Sequence, residues 1–550
     1  MHVLCLLSVF LLHAVELNTE PAWESDDYDY TTGGVLADID SDGDLDLVTG
    51  NGNDMACNPN RVYYNKGGEL EEIASWSSTD LGFNGHISLG DVDADGDLDL
   101  AVAGFANSSN WVWDSDSSRV YLNEGGTFTA GPVWFGADTL HSFSCDWGDA
   151  DADGDLDLAV APGNEYIPKR QEVVIFENVG GVLSAEPMWE SADSDFNMDV
   201  CWVDVDGDGD LDLAVGGYET NRIYFTEDGI LNTEAGWVSA DAHHTVQIAF
   251  GDFDSDGDLD MATADNNQKG DDESRVRIYL NHEGALDTLP FWESKLWTYQ
   301  SCVAWGDVDA DGDLDLAAGG WWEPVTVYEN VEGNFGTSPA WSWNPPNPMD
   351  LVCEQVIWGE VDNDNWKEET ENFGVISQRK VIYPSHFPAL DVVEVEIDES
   401  SASPGEFLWN PADGWIQINR EGSVEVTYRY SKYPDLLVTN WNPPTGNFLF
   451  LNTTEDTNTI AELPPPELPV QLEKTILIRG EPIRLMASTP QRIEEISLYD
   501  AAGRRLAGFA PGDCRELIAL PFETSKLPRG VYFLHVLIKQ KPITLRFQII

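Results

Sequence analysis

DVDADGDLDLAVAG, Asp91 to Gly104, decides how this chain is read. Acidic residues stand at alternate positions through its first half, a glycine breaks them at position 6, and a short apolar strand follows at once. The pattern D-x-D-x-D-G-D-L-D-[LM] recurs with its first Asp at Asp38, Asp91, Asp149, Asp204, Asp252 and Asp307, and a degenerate seventh copy, EVDNDNWKEE, begins at Glu360. The period is about 50 residues, the scale of a solenoid, propeller or array.

Outward from each anchor the grammar repeats. An apolar strand such as LAVAG (Leu100 to Gly104) or LAVGG (Leu213 to Gly217) comes first, then a variable loop, then a second strand ending in a turn, as in RVYYNKGG from Arg61 and RVYLNEGG from Arg119. A third segment carries one tryptophan, at Trp76, Trp134, Trp189, Trp237, Trp292 or Trp341, and a fourth leads into the next anchor. Short strands separated by Gly turns predict all-β structure, and four strands per unit is the plan of a propeller blade. Seven units predict a seven-bladed β-propeller over 20–452. A tryptophan segment (PAWES, around Trp23) precedes the first anchor, and NFLFLN (Asn447 to Asn452) ends the last unit without one. The N-terminal strand is therefore expected to complete blade seven, which removes the open edges of an unclosed array.

Two regions depart from the repeat. The stretches VVEVEI from Val392, WIQIN from Trp415 and VEVTYRY from Val424 predict a small β module inserted in blade seven at about 370–432, before PDLLVTNW resumes the pattern at Asp435. After Asn452 a polar and Pro-rich linker (453–473) leads to a final β-sandwich of immunoglobulin-like type (474–550). The apolar run VLCLLSVFLLHAV is too short to span a bilayer and stands where a secretory signal belongs, giving a signal peptide over 1–19. No other stretch is long enough for a membrane helix.

The loops predict a metal. Calcium takes six to eight oxygens, and carboxylates at positions 1, 3, 5 and 9 with a carbonyl at position 7 wrap it, while Gly at position 6 permits the turn. Six sites are expected: Asp38, Asp40, Asp42, Asp44 and Asp46; Asp91, Asp93, Asp95, Asp97 and Asp99; Asp149, Asp151, Asp153, Asp155 and Asp157; Asp204, Asp206, Asp208, Asp210 and Asp212; Asp252, Asp254, Asp256, Asp258 and Asp260; Asp307, Asp309, Asp311, Asp313 and Asp315. About six Ca2+ per chain follow. The seventh copy, with Asn365, Trp366 and Glu368 read at positions 6, 7 and 9, is assigned none.

Composition agrees. Ninety-nine acidic residues against 28 basic ones give a formal charge of -71, a field that excludes nucleic acid as a partner, while 21 Trp argue against a disordered acidic chain. Seven cysteines include no C-x-x-C pair. Cys145 with Cys201, and Cys302 with Cys353, either bridge neighbouring repeats in an oxidising compartment or remain buried thiols.

With its flanking strands, the anchor resembles the FG-GAP/VCBS repeats of integrin-α-like propellers, which implies calcium in the loop between a blade's first and second strands. The segment ISLYDAAGRRLAGF (Ile496 to Phe509) with LPRGVYFLHV (Leu527 to Val536) resembles the sorting domain of type IX secretion substrates, which implies export machinery as a partner and delivery to the exterior or cell surface. No G-x-S-x-G elbow, H-E-x-x-H pair or phosphate-binding Gly loop is present, so a non-enzymatic binding or adhesion module for a glycan or extracellular protein is expected. A carbohydrate-active lyase or hydrolase and a purely structural surface protein are the alternatives. The expected ligand face is the loop set opposite the calcium loops, with Trp111, Trp113, Tyr166, Tyr218, Trp321, Trp322 and Trp441.

Overall fold

A computed structural model describes residues 15–454 except 54, 108–113, 137–139, 164–169, 268–273, 296–298, 337 and 388, and, beyond 454, the strands between 471 and 549. Residues 1–14 of the expected signal peptide and 455–470 of the Pro-rich linker lie outside the described residues. The chain divides into two units, Met1–Thr454 and Glu455–Ile550.

In the first unit the strands form seven four-stranded antiparallel sheets. In blade one they are Thr31–Ala37, Asp46–Asn51, Arg61–Tyr63 and Trp76–Ser77, ordered from the axis outward. The innermost strands touch in a closed cycle, each packing on the next and that of blade seven (Val356–Gly359) on that of blade one. Their burial explains their composition: Thr31–Ala37 is buried at every residue, because a neighbouring blade covers each face. At the end of this strand a side chain would collide with the next blade. A Cβ on Gly148 would lie 2.5 Å from Trp202, and one on Gly306 2.7 Å from Trp358, so glycine before the anchor is a packing requirement.

Two devices join the blades, and both are written in the repeat. The tryptophan of each fourth strand packs edge-on against an aromatic ring in the third strand of the following blade, from Trp23 on Tyr63 (5.8 Å, 82°) round to Trp341 on Phe450 (5.1 Å, 70°). All seven junctions carry such a pair. Such contacts contribute about 0.5–1.5 kcal/mol each beyond the area they bury. The second device is an asparagine at the end of strand three. Asn123 Nδ2 donates to the Ile39 carbonyl of the preceding anchor loop (3.0 Å), and Asn65, Asn178, Asn281, Asn330 and Asn452 do the same at 2.8 Å. Blade four has Thr226 there, and its hydroxyl donates to Leu211 of its own blade instead.

Ring closure follows the expected route. Trp23–Glu24 pairs with Phe448–Phe450 as the outermost strand of blade seven. The closure reaches beyond residue 20: Leu17 is buried and bridges Asn452, and Asn18 N–H donates to Leu451.

Between the first strand of blade seven and its second (Asp435–Val438) the inserted module contributes two three-stranded sheets. One is Trp366–Ile376, Gly422–Ser431 and Asp391–Ile397; the other is Lys380–Ile382, Ile416–Ile418 and Phe407–Trp409. Ile382, Ile397, Ile418, Val424, Val426 and Tyr428 give it a core of its own.

The second unit carries a three-stranded and a six-stranded sheet. In the larger one Gln491–Asp500 lies between Arg505–Phe509 and Gly530–Ile538, bringing together the two segments on which the sorting-domain resemblance rests.

Candidate metal centre

Each anchor forms the turn between a blade's first and second strands, and its aspartates divide the work of holding that turn. The position 1 carboxylate caps the loop from within: its Oδ2 accepts the N–H of the position 6 glycine at 2.8–3.1 Å in all six copies. Position 4 takes a left-handed backbone, φ 58° at Ser41, Ala94 and Ala152. That of position 7 reaches outward, as where Asp44 Oδ2 accepts from Gly67 N–H (2.6 Å) in the turn joining strands three and four. The anchor loops and those turns therefore share one face.

Position 9 is the buried anchor. In blade three Asp157 Oδ2 accepts from Ala150 N–H (3.0 Å) and Oδ1 from Asn178 N–H (2.8 Å), which ties the loop to the end of strand three. The same two bonds recur in the other five intact blades.

These carboxylates converge. One oxygen from each of Asp91, Asp93 and Asp99 lies within 4.8 Å of the others, and so it is with Asp149, Asp151 and Asp157, with Asp204, Asp206 and Asp212, and with Asp252, Asp254 and Asp260. In blade one the grouped set is Asp38, Asp40 and Asp42. Burial, followed by neighbouring carboxylates among the lesser causes, pushes Asp99, Asp157 and Asp212 up to about 8, and Asp46 and Asp260 to about 7. Asp91 and Asp149 rise to about 6, again chiefly by burial. Oδ1 of Asp93, Asp204 and Asp254 is buried without a hydrogen-bond partner. A set of crowded hard oxygens whose charge is costly without a cation, and some of which have no donor, fits a divalent cation.

The seventh loop corrects the sequence reading in one respect. Glu360 Oε1 accepts from Asp364 N–H (2.9 Å) and Asn365 N–H (3.2 Å), the position 1 role, and Asn363 takes the position 4 backbone at φ 64°. Glu368 does not occupy position 9, because it lies in the module strand Trp366–Ile376. Asp435 holds that position: its Oδ2 accepts from Val361 N–H (2.9 Å) and its Oδ1 from Asn452 N–H (2.8 Å). The module is thus spliced into the loop between its sixth residue and its ninth.

That splice lays the module over the loop face. Arg429 Nη1 donates to the Gly43 carbonyl (3.0 Å), Gln417 Nε2 to Asp149 Oδ2 (2.6 Å), and Asn419 Nδ2 to the Gly154 carbonyl (3.2 Å). In blade four Lys380 Nζ donates to the Asp208 carbonyl (2.7 Å) and to Asp210 Oδ1 (2.9 Å), and Val381 N–H to Gly209 (2.8 Å). The loop of blade three, whose junction lacks the asparagine, is therefore held by Gln417 and Asn419 instead. A module turn also reaches the innermost strands at the axis. Asn410 Nδ2 donates to Asp146 Oδ1 (3.0 Å) and to Asp413 Oδ2 (3.0 Å), and burial together with the Asp146 charge holds Asp413 well above the usual carboxylate range.

Of the residues expected to form a ligand face, Trp111, Trp113 and Tyr166 lie outside the described residues. Tyr218 stacks on His244 (4.4 Å, 12°). Trp321 meets Trp441 edge-on (4.7 Å) and Trp322 (5.8 Å), while its Nε1 donates to Glu354 Oε1 (2.7 Å). Trp441 is buried, and Trp322 and Trp321 are half-buried. The three tryptophans pack around Trp321 where the sixth and seventh blades meet, and the Tyr218–His244 stack lies apart from them between the fourth and fifth. Cys302 and Cys353 bring their Sγ atoms to 3.4 Å across that junction without a bond, and Cys145 and Cys201 are buried thiols.

Among known families, the model of the FG-GAP-like repeat matches residues 22–102 and 204–263. No curated protein sequence matches the chain. Among solved structures, a crystal structure of BBS1N in complex with ARL6DN, soaked with lead, is similar at 12% identity and a TM-score of 0.40, covering 75% of this chain and 97% of that one. The FG-GAP-like repeats thus fall on blades of an all-β propeller. No helix among the described residues is long and apolar enough to cross a membrane.

Proposed function

We propose that this chain is a calcium-stabilised propeller acting outside the cytoplasm as a binding or adhesion module for a glycan or protein. The observation that carries the reading is the sixfold repetition of one acidic loop, each copy built into a closed ring of sheets over whose loop face a separate module packs. Asp at positions 1, 3, 5 and 9, with the position 7 carbonyl, would hold each ion, which supplies positive charge that the crowded carboxylates otherwise lack. The ring then serves as a scaffold rather than a catalyst, and the C-terminal unit serves delivery to the surface.

The test is metal analysis of the purified chain combined with retention of labelled glycans and extracellular proteins, scored separately for binding and for product. About six calcium ions with retention and no product is the expected result. Absence of bound calcium with a melt unmoved by chelator overturns the metal reading, and turnover of a retained glycan overturns the non-enzymatic one. Deleting 474–550 should leave a calcium-binding propeller that no longer reaches the surface; continued delivery removes the sorting role.

A further inference from the structure

Between the module and the anchor loops of blades four, five and six lies a cavity of about 680 Å³. That volume lies in the range of sites that take a small organic ligand. Its two walls differ in kind. One is made by the anchor loops, with Asp204, Asp252, Asp258, Asp307 and Asp311. The other is made by the module, with Lys367, Lys432, His386, Phe387 and Tyr430.

The module wall is built, not incidental. His386 stacks on Tyr430 with ring centres 3.9 Å apart and planes at 13°. Its Nδ1 lies 3.0 Å from the Tyr428 hydroxyl, which donates in turn to Glu371, and Glu371 also accepts from Ser385 Oγ at 2.6 Å. The stacked pair is therefore fixed from behind before any ligand arrives, which lowers the ordering cost of binding. Lysines are scarce in this chain, with 28 basic residues against 99 acidic ones, yet two of them line this one cavity.

We infer that this cavity binds a sugar unit carrying a carboxylate, its ring against the His386–Tyr430 stack and its acid group toward Lys367 and Lys432. Aromatic faces take the C–H surface of a pyranose, ammonium groups take its carboxylate, and loop carboxylates and backbone groups opposite take its hydroxyls. A neutral sugar forgoes the two ammonium contacts. The inference deepens the binding-module reading and rests on it, moving the ligand from the aromatic loops of the opposite face to the metal-loop face.

Titration calorimetry of the full chain in millimolar calcium, with digalacturonate and the neutral disaccharide galactobiose as probes, tests it. Digalacturonate should bind saturably and at least about tenfold more tightly, since each charge-assisted contact contributes on the order of a kcal/mol. Lys367→Gln with Lys432→Gln should abolish that preference, and Tyr430→Ala should weaken both sugars, with the calcium-dependent melt unchanged in each variant. Trp321→Ala with Trp322→Ala should leave digalacturonate binding unaltered. No saturable binding of digalacturonate, equal affinity for the two probes, or a preference that survives the double lysine variant overturns the inference. If those results come with retention of another glycan or protein elsewhere, the binding-module reading stands and the cavity assignment alone fails.

Discussion

The third anchor loop and the seventh share a backbone plan, yet one is a closed turn of ten residues' pattern and the other has a module spliced into it. In both, position 1 caps the N–H groups at the turn, position 4 is left-handed, and a buried Asp at position 9 takes two backbone N–H groups. What differs is the stretch between positions 6 and 9, which in blade seven leaves as the strand Trp366–Ile376. The comparison teaches that the motif has two separable parts. The ends build the blade and survive in all seven copies, while the middle closes a tight turn in six of them and in the seventh gives way to a new domain.

The largest expected effect comes from removing the metal, which acts on the six intact loops together. With a Kd of about 0.1 mM and millimolar calcium, each site contributes roughly 1.4 kcal/mol, or about 8 in total, against a typical domain stability of about 5–15. Chelator should lower the melting temperature by many degrees, checked by calorimetry. The loss should depend on pH. Folded-state values raised to about 8 at Asp99, Asp157 and Asp212 mean that the metal-free fold holds these protons while the unfolded chain, near 3.8, does not. Their contribution is complete below about pH 4 and disappears as pH rises through about 8. The chelated melt should therefore fall from pH 5 to pH 8.5, and the gain on adding calcium should grow over the same interval. A chelated melt that rises with pH breaks this account.

Next in size is the buried Asp at position 9. Asp157→Ala and Asp435→Ala each strand two buried N–H groups, a cost of about 1–3 kcal/mol per group, so both should destabilise the apo chain by similar amounts in denaturant melts. Metal analysis then separates them: Asp157→Ala should lose one calcium and Asp435→Ala none. Loss of an ion in both would make the seventh loop a site.

A smaller effect belongs to the asparagine joints. Asn330→Ala should cost about 1–2 kcal/mol by leaving the Phe253 carbonyl without its donor. Thr226→Asn, which supplies the missing side chain at the third junction, should be neutral or gain up to about 1 kcal/mol, because Gln417 and Asn419 already hold that loop. A large gain would show that the module contributes little there. Smallest of all, Asp364→Ala should leave the metal count unchanged, whereas Asp208→Ala in an intact loop should lose about one ion per chain.

Much of this was legible because it repeats. Seven anchors, a tryptophan per unit and a stray N-terminal tryptophan segment were enough for the blades and their closure, since every copy faces the same packing problem. The asparagine joint was equally visible, in YYN, YLN, FEN, YEN and FLN, but its partner sits one blade away and no spacing within a unit points to it. Glu368 was misplaced at position 9 because a splice preserves local sequence while moving the next residue of the motif to Asp435, on the far side of the module. The cavity was not legible at all. Lys367, His386 and Tyr430 carry no shared period, and only the folding of the module over the loops brings them opposite Asp252 and Asp307.

The pairing that completes blade seven joins groups 422 residues apart in the chain, as where Gly446 N–H meets Glu24 Oε1. On a ribosome, the partner for Trp23–Glu24 emerges after six blades and the module have already been made. The first segment must wait unpaired, and closing so long a span costs roughly 5 kcal/mol of chain entropy if it is attempted from a random coil. Blades stacked in order shorten that search by carrying the two ends toward each other, so completion of the ring is expected to be the slow, final step of maturation. A chain halted before Phe448 would present an open sheet edge at each end of the array, which is a template for joining its neighbours.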